Sequence, residues 1–324
     1  MDIDILLALQ SFREGSGAFL TDFFLQMSRF GEMGTFIIVA AAVYWCFDKR
    51  LGVYLFLGWH GNRLLNGVLK VTACAYRPWI RDSRIVPDPE ALSAATGYSF
   101  PSGHSMNASS LFGGVALYRG IQTALRVLLL LIVALIAFSR IFLTVHTPQD
   151  ILVGTAVGVG FMYCGGKILD YVEAHPKSDW IVAAAFLLAA VLIAVFASVK
   201  SYPEDFDAAN NLLVDGHKMA NDTYKAVGWS LAFFVGWLLE RRYVQFSVKA
   251  DLGNKALRLT GGLLGYYFVN LAICPLIKTG VGGDMGTICS CFVQMLYVIL
   301  LVPCAIKFIE GGTVGNSGQA PDMQ

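Results

Sequence analysis

In the stretch SRIFLTVHTPQDI, Ser139 to Ile151, an arginine, a histidine and a carboxylate stand close together between two long apolar runs. Thr147 and Pro148 read as the N-cap and first residue of a helix, with Asp150 at the third position, where a carboxylate reaches back to the cap. His146 precedes Asp150 by four residues. The same carboxylate could accept one imidazole N–H, fix the tautomer and leave the other nitrogen free to attack. The plainer reading makes Asp150 a capping residue and His146 a surface histidine, which leaves Arg140 and His146 without a purpose.

Two further polar blocks share this pattern. Lys70 and Arg77 are seven residues apart, two helical turns, and so fall on one stripe of a helix that Pro78 then ends or bends. Two cations on one stripe suit a tetrahedral anion; snorkelling toward lipid headgroups is the alternative. In YSFPSGHSMNASS, Tyr98 to Ser110, Ser102 is a natural N-cap, and the free N–H groups of the helix start attract an anion. Gly103 lets a ligand approach the backbone, and His104 sits beside it. Together the blocks hold an anion clamp, a nucleophile and a general acid, the inventory of phosphoryl transfer. With no carboxylate cluster for magnesium and no His/Cys set for zinc, that chemistry is expected to need no metal and no cofactor.

The elements that must position these groups are membrane helices. Of 324 residues, 56% are hydrophobic and 15% charged, against about a quarter charged in soluble domains. ALRVLLLLIVALIAF and WIVAAAFLLAAVLIAVFASV are among several runs approaching the roughly 20 residues that cross a bilayer. The fold class expected is an all-α polytopic helical bundle of about nine spans, near 33 to 47, 51 to 72, 103 to 119, 122 to 143, 148 to 171, 179 to 199, 222 to 239, 257 to 277 and 286 to 308. Residues 1–30 form an amphipathic segment that reads as interfacial, with a spanning first helix left open. Residues 31–175 carry the three blocks, 176–310 supply further spans, and 311–324 read as a disordered tail.

Loop charge sets the orientation. Asp48 to Arg50, Arg119, Arg126, Lys177 and the cluster from Glu240 to Arg258 concentrate the bases on one face, which the positive-inside rule makes cytoplasmic. The three blocks then face outside and the C-terminus lies in the cytoplasm. The net charge of +1 provides no field for nucleic acid. The seven cysteines lie mostly in apolar runs and read as packing residues.

The three blocks, K-x6-RP at Lys70 to Pro78, PSGH at Pro101 to His104 and SR-x5-H-x3-D at Ser139 to Asp150, resemble the signature of the type 2 phosphatidic acid phosphatase (PAP2) superfamily, with every spacing intact. The resemblance covers about residues 33 to 172. It implies His146 as nucleophile, forming a phosphohistidine, Asp150 as its orienting group and His104 as the acid for the leaving oxygen. Lys70, Arg77, Ser102, Gly103 and Arg140 would hold the phosphate. The family's core is a helical bundle with its site outside the cytoplasm. The additional C-terminal helices are similar in number to those of the glucose-6-phosphatase and sphingosine-1-phosphate phosphatase branches.

The function expected is an integral membrane phosphatase of lipid phosphate monoesters or pyrophosphates, in the plasma (inner) membrane if the source is bacterial. Its partners would be the bilayer and a lipid phosphate such as phosphatidic acid, phosphatidylglycerol phosphate, an isoprenyl pyrophosphate or a sphingoid phosphate, and homo-oligomerisation stays open. Arg81 and Arg84 are candidates to meet a headgroup or second phosphate, while His217, Lys218 and Lys278 read as loop residues. A phosphotransferase, a phosphatase of small soluble phosphates, a vanadium haloperoxidase and a lipid-phosphate-binding transporter remain alternatives.

Overall fold

A computed structural model describes residues 2–207 and 209–314, and these are helical throughout apart from loops and an isolated bridge between Phe206 and Leu212. The all-α expectation holds. The chain opens with α1 (Asp2–Gly15) and α2 (Ala18–Arg29), followed by α3 (Met33–Ala42), which a wide π-helical turn carries on to Phe47. α4 (Lys49–Ala73) is the central element. Asp48 caps its start by accepting from the Leu51 N–H at 2.9 Å, and Cys74 ends it in the left-handed region at φ 46°.

A loop with two one-turn helices, α5 (Pro78–Arg81) and α6 (Pro89–Leu92), leads to α7 (Gly103–Ala108), continued by a wide turn into α8 (Gly114–Leu117). Then come α9 (Thr123–Phe142), α10 (Pro148–Ala174) and α11 (Asp179–Val199). The C-terminal part comprises α12 (Gly216–Leu239), α13 (Leu252–Phe268) with α14 (Cys274–Val281), and α15 (Gly283–Leu296) with α16 (Val302–Val314). Residues 311–314 of the expected disordered tail therefore belong to a helix, and 315–324 lie outside the described residues.

Five helical runs are long and apolar enough to cross a membrane: α9, α10, Pro176–Val199, Leu252–Val281 and Gly283–Glu310. α2 and α3 form a pair bent by 53°, a sixth if the two make one span. The expected nine is not reproduced by this measure, because α4, α7 with α8, and α12 fall outside it. Their place in the bundle gives the reason. α4 packs between α10 and α12, with its residues almost all buried, so its side chains meet protein instead of lipid and can be polar without meeting hydrocarbon.

Close approach makes this possible. A Cβ at Gly165 of α10 would lie 3.2 Å from the Gly58 Cα of α4, so the two backbones meet where neither residue has a side chain. Below this, Phe36 stacks on Trp59 at 4.7 Å, and Phe56, Phe233 and Trp237 fill the interior. Lipid-type residues, such as Leu128, Leu131, Leu188, Leu192 and Leu264, are exposed on α9, α11 and α13.

Candidate active site

The C-terminal end of α4, the start of α7 and the turn between α9 and α10 converge at one end of the bundle. α10 begins with a full capping box: the Thr147 side chain accepts from the Asp150 N–H at 3.4 Å, and Asp150 Oδ2 accepts from the Thr147 N–H at 2.9 Å. That carboxylate oxygen also stands 3.1 Å from His146 Nδ1 and accepts from Ser99 Oγ at 2.5 Å. The capping and the orienting readings are therefore both realised by one side chain. A carboxylate only accepts, so Nδ1 carries the proton; an arginine only donates, so Nε2, 2.9 Å from Arg77 Nη1, presents its lone pair.

Arg77 is anchored on every side by neutral oxygens. Its guanidinium donates to the carbonyls of Thr96 at 2.6 Å, Gly97 at 3.0 Å and Val145 at 3.0 Å. Burial brings its pKa down to about 10, so it stays charged at neutral pH. Burial, with Arg77 alongside, holds His146 below the ordinary imidazole range, so its Nε2 is unprotonated and nucleophilic. Lys70 is buried and donates to the Tyr98 carbonyl. Arg140, fully buried at the end of α9, donates to Ser28 Oγ of α2, and its Nε and Nη2 have no partner among the described residues.

Ser102 is the N-cap of α7, accepting from the Ser105 N–H at 3.4 Å, while its own N–H donates to the Asp150 carbonyl at 2.9 Å. This ties the second block to the third. Gly103 and His104 follow, and His104 Nε2 is buried without a partner among the described residues. A cavity of 230 Å³ is lined by Lys70, Arg77, Gly103, His104 and His146. The structure thus brings the expected histidines, the cations of the first block and the glycine to one void, and sets Asp150 and Ser102 directly behind it.

Arg81 and Arg84 lie elsewhere. Arg81 pairs with Asp2 of α1 at 2.9 Å and Arg84 with Asp82 at 2.7 Å, both on exposed surface, and neither lines the cavity. Lys218 is exposed and 3.8 Å from Asp215. Arg13, within the amphipathic opening, instead reaches inward. It donates to Thr144 Oγ1 at 3.1 Å and to the Val86 carbonyl at 2.7 Å, fixing the turn that carries His146.

Four residues that sequence reasoning did not single out belong to the site. Ser99 completes the Asp150 network. Arg63 lines the cavity from α4, two turns before Lys70 on the same stripe; Arg77, expected on that stripe, lies beyond the helix end at Ala73 because Cys74 turns the chain into the left-handed region. Asp222 and Lys225 line the cavity from α12. Asp222 accepts from Thr96 Oγ1 at 2.6 Å and from Lys225 Nζ at 2.9 Å. These two sit in the C-terminal part, at the foot of an apolar run, where no local pattern marks them.

Comparison with known proteins agrees with this geometry. Residues 51–173 match the family described as the PAP2 superfamily, and residues 224–310 match the PAP2 superfamily phosphatase transmembrane extension. Phosphatidylglycerophosphatase B of Bacillus subtilis (strain 168) is 30% identical over 131 residues, covering 38% of this chain. The chain spans 60% of that relative's length. No solved structure matches the chain. The two family matches together take in well over half of the sequence, and all three signature blocks lie inside the first of them: the chain belongs to the PAP2 superfamily.

Proposed function

We propose that the protein is an integral membrane phosphatase of lipid phosphates, working through a phosphohistidine on His146 with its site on the extracytoplasmic side. The observation that carries this is the His146 ring, held at Nδ1 by Asp150 at 3.1 Å and presenting Nε2 to Arg77 at 2.9 Å on the wall of a cationic cavity. A bound phosphoryl group takes the place of Nε2 as acceptor for Arg77. Nε2 then attacks phosphorus in line with the scissile P–O bond, and that bond's electron pair leaves on the lipid oxygen, which takes a proton from His104. Water attacks the phosphohistidine in the second step, gives its proton back to His104 and releases phosphate, regenerating neutral His146. Asp150 steadies the positive charge on the imidazole throughout.

The cations Lys70, Arg77 and Arg140 with Ser102 and Gly103 bind the phosphoryl oxygens as charge shifts onto them. None of these steps uses a metal. The start of α3 lines the cavity through Glu32, Met33 and Gly34, which supports entry of a lipid beside that helix. The similarity to a phosphatidylglycerophosphatase supports phosphatidylglycerol phosphate as a substrate to test first. The domain reading follows: residues 31–175 as the catalytic core and 176–310 as its helical extension.

The test is phosphate release by detergent-purified protein, in EDTA, from phosphatidic acid, phosphatidylglycerol phosphate, isoprenyl pyrophosphate, sphingosine 1-phosphate and glucose 6-phosphate, with His146→Ala alongside. Release that tolerates EDTA and disappears in the variant is expected. Release unchanged in His146→Ala would sink the mechanism, and release from glucose 6-phosphate alone would sink the lipid assignment.

A further inference from the structure

Arg63 is anomalous in its surroundings. It is 5% exposed, makes no hydrogen bond or ion pair with any described residue, and lines the cavity. A buried guanidinium without a partner is among the most destabilising groups a fold can keep. Its Nη1 lies 3.5 Å from where a Cβ on Gly103 would stand, and Asn66 Oδ1 lies 3.8 Å from the same point, so the absent side chain of Gly103 leaves the guanidinium open to the void. Lys225 of α12 also lines the cavity, donating to Asp222 at 2.9 Å and keeping its other donors. Asp222 lies within electrostatic reach of Arg63 and Lys70 but is held by Thr96 and Lys225.

The cavity, of 230 Å³, has room for several water-sized groups and so for a second anion beside the reacting phosphoryl. Lys70, Arg77, Arg140, Ser102 and Gly103 are already assigned to the reacting phosphate, which leaves Arg63 and Lys225 without a part in holding it. We infer that Arg63, with Lys225 from α12, forms a second anion subsite that takes a further phosphate group of the lipid, a phosphodiester or a second phosphoryl, beside the one being cleaved. This rests on the phosphatase reading and deepens it. The subsite is built jointly by the core and the extension, so the extension contributes to substrate choice as well as to packing.

The experiment measures kcat and KM of the full-length detergent-purified protein on phosphatidic acid, which has one phosphate, and on phosphatidylglycerol phosphate and an isoprenyl diphosphate, which have two. Arg63→Met, Arg63→Lys and Lys225→Gln are compared with wild type. Arg63→Met is expected to lower kcat/KM about tenfold on the two-phosphate lipids, mainly through KM, with little change on phosphatidic acid. Arg63→Lys should restore part of the loss, and Lys225→Gln should give a smaller loss of the same kind. Loss on phosphatidylglycerol phosphate alone identifies a phosphodiester as the second anion, and loss on the diphosphate alone identifies a phosphoryl group. The thermal midpoint of ligand-free Arg63→Met should equal or exceed that of wild type, since a purely structural arginine would lower it. Equal loss on all three lipids, or no change on any, overturns the subsite. If wild type cleaves none of them, the phosphatase reading fails separately, and the subsite is tested by thermal protection: pyrophosphate should protect better than phosphate in wild type but not in Arg63→Met, and equal protection in wild type overturns it.

Discussion

The two ends of the bundle treat charge in opposite ways. At the end where α4 starts, cations meet carboxylates directly. Lys49 pairs with Glu240 at 2.6 Å, Arg50 with Asp170 at 2.7 Å and Glu173 at 2.8 Å, Arg119 with Asp170 at 2.6 Å, and Arg242 with Asp179 at 2.9 Å. At the end where α4 stops, Arg63, Lys70, Arg77 and Arg140 make no carboxylate ion pair among the described residues. Of the carboxylates present there, Asp150 and Asp222 are engaged by other donors. The contrast concerns the buried cations around the cavity: surface cations at that end, such as Arg81 and Arg84, do find carboxylates, whereas these four do not, which is the arrangement expected of cations that meet an anion from outside the chain.

Several measurements can break this contrast. The largest effect is expected at the site end: His146→Ala should abolish turnover, and Asp150→Asn should reduce it by roughly 10²- to 10⁴-fold, since it removes the acceptor that fixes the tautomer. Activity of Asp150→Asn within a few-fold of wild type would reduce the carboxylate to a helix cap. At the opposite end, Glu240→Gln should cost about 2 kcal/mol in thermal or denaturant stability, because it strands a partly buried lysine, while kcat/KM stays at the wild-type value. A loss of activity without loss of stability would erase the distinction between the two ends.

The pH profile sharpens the contrast further. His146 is held below the ordinary imidazole value of 6.5 by burial and by Arg77. A lowered value means that protonation sets in only at more acidic pH, so the acid limb of kcat/KM should fall below pH 6.5. An acid limb at or above that value would place His146 in a solvated setting. The smallest effect is expected for Arg84→Glu, which breaks only an exposed pair with Asp82. Thermal stability should stay at the wild-type value, since an exposed pair contributes little, and activity should not change at all.

Sequence spacing was a good guide wherever chemistry and local structure coincide. Thr147, Pro148 and Asp150 are legible because a capping box needs those types at those positions, and His146 is placed by the same turn. Lys70 and Arg77 could be read as one stripe, although Arg77 lies beyond the end of α4 and reaches the site from a loop. What stayed hidden depends on contacts between distant segments. Asp222 and Lys225 acquire their role only when α12 packs on α4, and no pattern within GHKMANDTYK announces it. Arg81 and Arg84 show the converse, since arginines in a loop near a site look available in sequence, while the fold pairs them with Asp2 and Asp82 away from the cavity lining. The hydropathy measure stops short of the nine expected spans for a related physical reason. Helices wrapped by other helices need not be apolar, so hydropathy underrates those nearest the chemistry.

The position of α12 also bears on how the protein comes into being. A chain emerging from the ribosome has delivered all three signature blocks once Asp150 is made, yet Thr96 still lacks its Asp222 acceptor and the cavity still lacks the wall that α12 provides. The first 175 residues alone therefore leave the cavity without one of its walls during synthesis. The cavity closes only when the later helices have entered the membrane and α12 has folded back against α4.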